Sequence, residues 1–339
     1  MIDAINKLPR VRLGFYPTPL TNAEHLSESI GGPHIFIKRE DLSGLAMGGN
    51  KARKLEFILG DAREHGATTL ISTASAQSNF CLQTAAAGRR LGMKSSFALL
   101  KGVHNETQGN LLLQNVLGSD VEILEVGDMS LLQGSFISDK LQGIADKAKA
   151  RGEVPYIMKH NLPERPAFLG VVGWMTVAEE LDRQFEQMGL KVDYVVLANG
   201  GGGTQAGLEL GSRHLGTRWK VVGIPVLHRN DISLKATADQ VNATAEFLGL
   251  SIKVTPDEIE LHDEYLGKGY GIPTDAGVAA IRQVAQTEGI FLDPVYTAKG
   301  MSGLIGLSKQ GRFTPSQTVV FVHTGGVPAL FAYNAEVTQ

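Results

Sequence analysis

With 339 residues, 43% of them hydrophobic and 20% charged, the chain has the make-up of an ordinary soluble globular protein. It is long enough for two domains or for one large α/β unit with an insertion. A formal net charge of -3 leaves no electrostatic footprint for nucleic acid or an anionic membrane, and no apolar run approaches the ~18 residues of a membrane span.

The predicted elements alternate. Residues 11–20, with Tyr16-Pro17-Thr18-Pro19-Leu20, read as an extended, non-helical entry, followed by a strand over 34–38. A helix over 51–65 carries apolar residues at Leu55, Ile58, Leu59 and Ala62, the spacing of one helical face. Strand 69–73, helix 78–91, strand 95–100, helix 107–116, strand 121–126, helix 137–151 and strand 154–158 continue the alternation. The stretch from Lys159 to Pro166 is irregular and marks the expected domain crossing. Helix 168–187, strand 194–198, helix 204–215, strand 220–226, helix 231–248, helix 274–287, helix 299–310 and strand 318–323 complete the chain. Strands separated by helices predict open, mostly parallel twisted sheets flanked by helices, an α/β fold with right-handed crossovers. The single cysteine, Cys81, excludes an intrachain disulfide and points to a reducing compartment, so a cytoplasmic location is expected.

The chemistry is expected around Gly48-Gly49-Asn50-Lys51. Glycine and asparagine permit tight backbone geometry before a helix start. That puts Lys51 at a helix N-terminus, where unpaired amides disfavour a positive charge. Desolvation there lowers the amine toward a usable nucleophile. The plain alternative is a solvated surface lysine, and glycine-rich or capped junctions elsewhere in the chain weaken it.

Asn199-Gly200-Gly201-Gly202-Gly203-Thr204 comes after an all-apolar strand and opens a helix, so successive backbone amides can converge on an anion. It is not a Walker loop, which requires Gly-Lys-Ser/Thr where this chain has Gly203-Thr204-Gln205. A dinucleotide fingerprint on Gly201, Gly203 and Ala206 would need an acidic residue after the next strand, where Val226-Leu227-His228 stands. A monophosphate is the expected ligand. Ser75-Ala76-Gln77-Ser78-Asn79-Phe80 is a second strand-to-helix turn, and Ser78 reads equally as a helix N-cap and as a holder of a substrate carboxylate. Asp293-Pro294-Val295-Tyr296 and His323-Thr324-Gly325-Gly326 are two more such junctions. The nine histidines are scattered without metal-ligand spacing, so no metal is expected.

Together these motifs resemble the pyridoxal-phosphate enzymes of the tryptophan-synthase-β-like fold, in particular the branch holding D-cysteine desulfhydrase and 1-aminocyclopropane-1-carboxylate deaminase. The resemblance runs from Pro17-Thr18-Pro19-Leu20 to Pro328-Ala329-Leu330-Phe331-Ala332-Tyr333. It implies pyridoxal 5'-phosphate as cofactor, a small amino-acid substrate and a homodimer. It implies a small domain over 50–162 inserted into a large one made of 1–49 and 163–339, with the cofactor between them. By this resemblance Lys51 joins covalently to the cofactor, and Gly200, Gly201, Gly202, Gly203 and Thr204 cup its phosphate, with Lys54 as an extra charge. Asn79 partners the phenolic oxygen of the ring. Ser78 sits beside the substrate, Tyr296 packs on the ring, and Tyr270 is the second active-site tyrosine. Phe80 and His160 border the substrate.

The residue facing the pyridine nitrogen decides the reaction, because a carboxylate there strengthens the electron sink and a hydroxyl does not. The cyclopropane-opening deaminases carry Glu directly after the Asp-Pro-Val-Tyr tyrosine; here Thr297 stands there, and Thr324 ends the last strand. Both resemble the desulfhydrases, so β-elimination, D-cysteine to pyruvate, sulfide and ammonia, is expected. The chain departs from the branch at Lys159-His160-Asn161-Leu162-Pro163 and at Phe80. Lys159, His160 and Arg165 would suit a sulfonate leaving group, which keeps an L-cysteate sulfo-lyase in view beside the cyclopropane deaminase. A cofactor-binding protein without turnover is the alternative of another class.

Overall fold

The architecture follows from strands that are apolar on both faces, a pattern that only a sheet covered on both sides can bury. The computed structural model describes residues 3–126, 131, 134–159 and 164–338. In chain order its strands are β1 (Leu20–Asn22), β2 (His34–Arg39), β3 (Thr69–Ser75), β4 (Lys94–Leu100) and β5 (Asp120–Leu124). Then come β6 (Pro155–Ile157), β7 (Tyr194–Asn199), β8 (Lys220–Pro225), β9 (Glu260–Leu261) and β10 (Thr318–His323). One sheet has the order β1-β2-β10-β7-β8-β9 and the other β5-β4-β3-β6. Every pairing is parallel except that of β1 with β2, where Leu20 lies opposite Lys38.

In the larger sheet the two-residue period sends Ile35, Ile37, Val196, Val222, Val319 and Phe321 into one core. Their neighbours Phe36, Val195, Leu197, Val221, Val320 and Val322 enter another on the opposite face. A third core brings together Leu55, Ile58 and Leu59 of the helix Lys51–Glu64, Val171 and Met175 of the helix Arg165–Met188, and Leu210 of the helix Gly203–Leu215. The helix that begins with Lys51 is therefore wedged between buried partners. Among the described residues, no helix is long and apolar enough to cross a membrane.

Each predicted strand and helix forms within a few residues of its expected place. Two short strands and four α-helices were not expected: β1, β9, Asp3–Asn6, Glu24–Ile30, Val327–Ala332 and Asn334–Thr338. Strands β1 and β9 have three and two residues, too few to show a period, and exist because a neighbouring strand offers them partners. The extended entry expected over 11–20 ends in β1, the antiparallel edge of the sheet.

A buried polar cluster ties the entry segment to the helix that begins with Lys51. Arg53 donates to Glu40 (Nε–Oε2 3.0 Å, Nη2–Oε1 2.8 Å) and to Glu180 (Nη1–Oε2 2.8 Å), and stacks 3.7 Å over the ring of Tyr16. Lys38 donates to Glu180 and to the Thr18 carbonyl. Glu56, three residues on from Arg53, accepts from the Leu13 amide (2.8 Å) and from Arg10 Nε (2.8 Å). The Arg and Glu of the Gly-Gly-Asn-Lys-x-Arg-Lys-Leu-Glu motif are thus structural, holding the lysine's helix against β2 and the N-terminal segment.

Candidate active site

In a parallel sheet the strands' C-terminal ends form a row of loops and helix N-termini, a natural place for an anionic ligand. One cleft of about 950 Å³, counting its open mouth, gathers the loops after β3, β7, β8 and β10 together with the start of the helix Lys51–Glu64.

The loop before Lys51 is held by its own small residues. Gly49 forms an isolated bridge with Gly325, the Asn50 amide donates to the Thr324 carbonyl (3.0 Å), and Gln83 Nε2 donates to the Gly48 carbonyl (2.8 Å). A Cβ on Gly325, whose φ is +89°, would lie 2.6 Å from the Gly49 Cα, so the two Gly-Gly segments are small because they touch. His323 fastens the second of them. Its Nε2 lies 2.9 Å from the Phe291 carbonyl and its Nδ1 accepts from the Gly325 amide (3.2 Å), an arrangement for a neutral ring. Burial pushes its pKa down and so agrees with that tautomer.

Lys51 is the first residue of its helix, and enclosure in protein lowers its amine to about 8 against the opposing charge of Asp293. Lys54, one turn on, is pushed well below the usual lysine range, first by burial and then by the charge of Lys51. Both line the cleft, and among its described lining residues there is no carboxylate. Facing the lysines are Gly200, Gly201, Gly202, Gly203 and Thr204; a Cβ on Gly203 would come 2.9 Å from Lys54 Nζ. Asn50 Nδ2 donates to Thr204 Oγ1 (3.1 Å), joining the lysine's loop to the glycine loop. Two enclosed amines beside a helix N-terminus, with no carboxylate among the described residues lining the cleft, fit a phosphate ester attached to a group within reach of Lys51.

The opposite wall carries polar side chains, Ser75, Ser78, Asn79, Tyr270 and Tyr296 among them. Ser78 caps the helix Asn79–Arg90 by accepting from the Cys81 amide (3.1 Å), which leaves its own proton free to donate. Ser78 is thus the expected N-cap, and it also lines the cleft. Asn110 Nδ2 donates to Asn79 Oδ1 (2.7 Å), so the amide nitrogen of Asn79 is the end left to donate into the cleft. Tyr270 and Tyr296 meet with hydroxyls 2.8 Å apart, and Ser75 Oγ lies 3.2 Å from that of Tyr270. Burial raises both phenols, so they stay protonated at neutral pH.

Of the residues expected in the site, Lys51, Lys54, Ser78, Asn79, Phe80, Gly200 to Gly203, Thr204, Tyr270, Tyr296 and Thr324 all line this cleft. Thr297 does not. Its hydroxyl donates to Asp293 Oδ1 (2.7 Å) beneath the wall, so of the two threonines expected at the ring nitrogen only Thr324 faces the cavity. His160 lies outside the described residues. Arg165 is spent elsewhere: its Nε donates to Asp61 (2.7 Å) and it stacks over Phe247. Lys159 pairs with Glu164 at 3.6 Å, and neither basic residue reaches the cleft. Asp293 shapes the turn beside the cleft, and sequence reasoning assigns it no role. Its carboxylate, fully buried, accepts from the amides of Val295 (2.9 Å), Tyr296 (2.9 Å) and Thr297 (2.8 Å), ordering the turn that delivers Tyr296. An aspartate just before a helix start is the signal that points to it.

A family model described as "Pyridoxal-phosphate dependent enzyme" matches residues 11–325. The chain belongs to the pyridoxal-phosphate-dependent enzymes. It is 38% identical over 346 residues to a D-cysteine desulfhydrase of Salmonella schwarzengrund, with 98% of each chain covered. It is 36% identical over 337 residues to a 1-aminocyclopropane-1-carboxylate deaminase of Burkholderia lata, covering 97% of this chain and 98% of the relative. A solved structure of an ACC deaminase homologue superposes with a TM-score of 0.88 at 34% identity, covering 99% of this chain and 97% of that one. The cofactor of this family is pyridoxal phosphate, which fits the two lysines and the glycine cup. The fold is that of the fold type II members.

A first test addresses Lys54. Lys54→Met should weaken binding of pyridoxal phosphate, and of inorganic phosphate, by about 10- to 100-fold, the scale of one lost charged hydrogen bond. The cofactor-free protein, relieved of one of two crowded cations, should become more resistant to urea. Equal affinity in the two proteins would remove Lys54 from the phosphate site.

Proposed function

We propose that the enzyme catalyses β-elimination on a small amino acid, with D-cysteine as substrate and pyruvate, sulfide and ammonia as products. The observation that carries this reading is the hydroxyl of Thr324 on a cavity wall that has no carboxylate among its described residues. Bound pyridoxal phosphate supplies the electron sink for loss of the Cα proton, and a carboxylate at the ring nitrogen would strengthen that sink. A wall of hydroxyls and amides suits a substrate whose β-substituent leaves readily, and a strained ring with a carbon leaving group less well.

The chain's own residues divide the work. Lys51 Nζ, with its lowered pKa, takes the Cα proton. The free proton of Ser78 Oγ and the amides at the start of the helix Asn79–Arg90 hold the substrate carboxylate. Asn79 Nδ2, left free to donate by the Asn110 bond to its oxygen, would hold the ring of the cofactor. The protonated Tyr270–Tyr296 pair donates toward the departing sulfur, and Phe80 closes the pocket against water. Arg165 is committed to Asp61 and Lys159 is paired with Glu164, so neither of these two described cations supports the sulfonate reading. We also keep the division into residues 50–162 and the remainder as part of the proposal. The sheet β5-β4-β3-β6 falls inside 50–162, whereas the helix Lys51–Glu64 shares a core with Arg165–Met188.

The test is a paired assay: pyruvate from D-cysteine against 2-oxobutyrate from 1-aminocyclopropane-1-carboxylate. The first rate should exceed the second by at least about 100-fold, a difference in barrier of about 2.7 kcal/mol. Comparable rates would make the enzyme a cyclopropane deaminase, and no product from either, or from a panel of D- and L-amino acids, would make it a binder.

A further inference from the structure

Tyr270 reaches the cleft on a segment with little holding power of its own. The run Leu266-Gly267-Lys268-Gly269-Tyr270-Gly271 contains three glycines at positive φ (+70°, +141° and +75°). Among the described residues, the one backbone–backbone hydrogen bond donated from Gly267–Pro273 is from the Ile272 amide to the Gly269 carbonyl, at 3.4 Å. A loop so rich in glycine has a large conformational entropy to lose, yet Tyr270 must keep its hydroxyl 2.8 Å from that of Tyr296.

Beneath the loop lies a lysine that the chemistry does not use. Lys299, fully buried and three residues after Tyr296 on the helix Thr297–Lys309, donates from Nζ to the Leu266 carbonyl (2.9 Å) and the Gly269 carbonyl (2.8 Å). The Gly269 carbonyl belongs to the peptide that leads into Tyr270, so this contact fixes the plane from which the tyrosine departs. Both catalytic tyrosines are then referred to one helix, Tyr296 through its backbone and Tyr270 through Lys299. Burying an ammonium is costly unless its donors are satisfied. Here burial lowers the amine to about 8 against the charge of Asp293, which leaves it charged at neutral pH and its bonds to the carbonyls charge-assisted.

We propose that Lys299 is a positioning residue that holds the Gly269–Tyr270 peptide so that the Tyr270 hydroxyl stays against Tyr296 in the cleft. The inference rests on the proposed role of Tyr270 in turnover, and its test separates the two. Lys299→Met keeps the length of the side chain and removes its donors. In hydrogen–deuterium exchange of the cofactor-free protein, the segment 266–273 should exchange at least about 10-fold faster in the variant, while the helices Thr297–Lys309 and Lys51–Glu64 keep their protection. On the loaded enzyme, kcat should fall about 10- to 100-fold with KM little changed. In a Tyr270→Phe background the same substitution should cost less than about 2-fold, because the residue acts through that hydroxyl.

Unchanged exchange in 266–273, or equal losses with and without the Tyr270 hydroxyl, would overturn the proposal. Faster exchange with no change in turnover would retain the anchor and reject the role of Tyr270. If Lys299→Met does not fold, Lys299→Gln, which keeps an uncharged donor on a shorter stem, goes through the same measurements. If that also fails to fold, exchange on the wild-type protein decides. Protection of the Ile272 amide, which donates to the Gly269 carbonyl, no greater than that of an unstructured peptide would refute the anchor, and protection well above it would support it.

Discussion

Replacing Lys51 by alanine should lower turnover by at least about 1,000-fold and leave the fold intact, since it removes the group proposed to take the Cα proton and to attach the cofactor. The side chain ends in a cleft, not in a packed core, so its truncation opens no cavity. The bound cofactor should lose its lysine-dependent visible band, and circular dichroism should be unchanged. The physical root is the lowered pKa, set mainly by burial and partly offset by Asp293. With a pKa of about 8, about one amine in ten is neutral at pH 7, against fewer than about one in a thousand for an ordinary lysine. Only the neutral amine is a nucleophile, so labelling of Lys51 by an amine reagent in the cofactor-free protein should accelerate with pH up to about 8 and then level off. Turnover of the alanine variant near the wild-type rate would overturn the assignment of the base.

Arg53→Met should have the largest effect on stability, about 3–5 kcal/mol, because it strips the guanidinium from two carboxylates, one fully buried and one mostly so. Glu40 is fully buried and Glu180 keeps 12% of its side chain exposed, and of these two carboxylates the remaining Lys38 donates only to Glu180. Burial by itself would raise the Glu180 carboxyl; the hydrogen bonds and charge of Arg53, with Lys38, override it and hold the pKa at about 2. A carboxyl lowered in the folded state contributes stability above its unfolded pKa, near 4.5, and loses that contribution as pH falls toward 2. The gap in urea midpoint between wild type and variant should therefore be widest at neutral pH and close between about pH 4.5 and 2. A gap that persists undiminished in acid would mean that the arginine acts through packing on Tyr16 and not through its charge.

Much of the site was legible because it lies where short-range rules operate. A phosphate cup needs successive amides at a strand-to-helix junction, and Gly200 to Gly203 supply them in one uninterrupted run. Lys51 directly follows residues that only a tight helix start requires. The apolar period of 55–62 and the alternation of strands and helices depend on neighbours a few positions apart, so they survive in one dimension. The four junction motifs could be read singly without knowledge of which sheet end they share.

What the tertiary structure decided are the outcomes of competition between distant groups. The sequence places Thr297 next to Tyr296, but only the fold shows that its hydroxyl is taken by Asp293 and that Thr324 alone reaches the cavity. Arg165 stands beside the irregular segment in the chain, yet the carboxylate of Asp61, 104 positions away, claims it. Lys299 reads as a helix-face cation in one dimension, and only the Tyr270 loop laid over it supplies its partners. In each case a hydrogen bond can be made to either of two partners, and burial leaves one within reach. Sequence spacing identifies the donors and acceptors; the packing of elements far apart in the chain determines which of them meet.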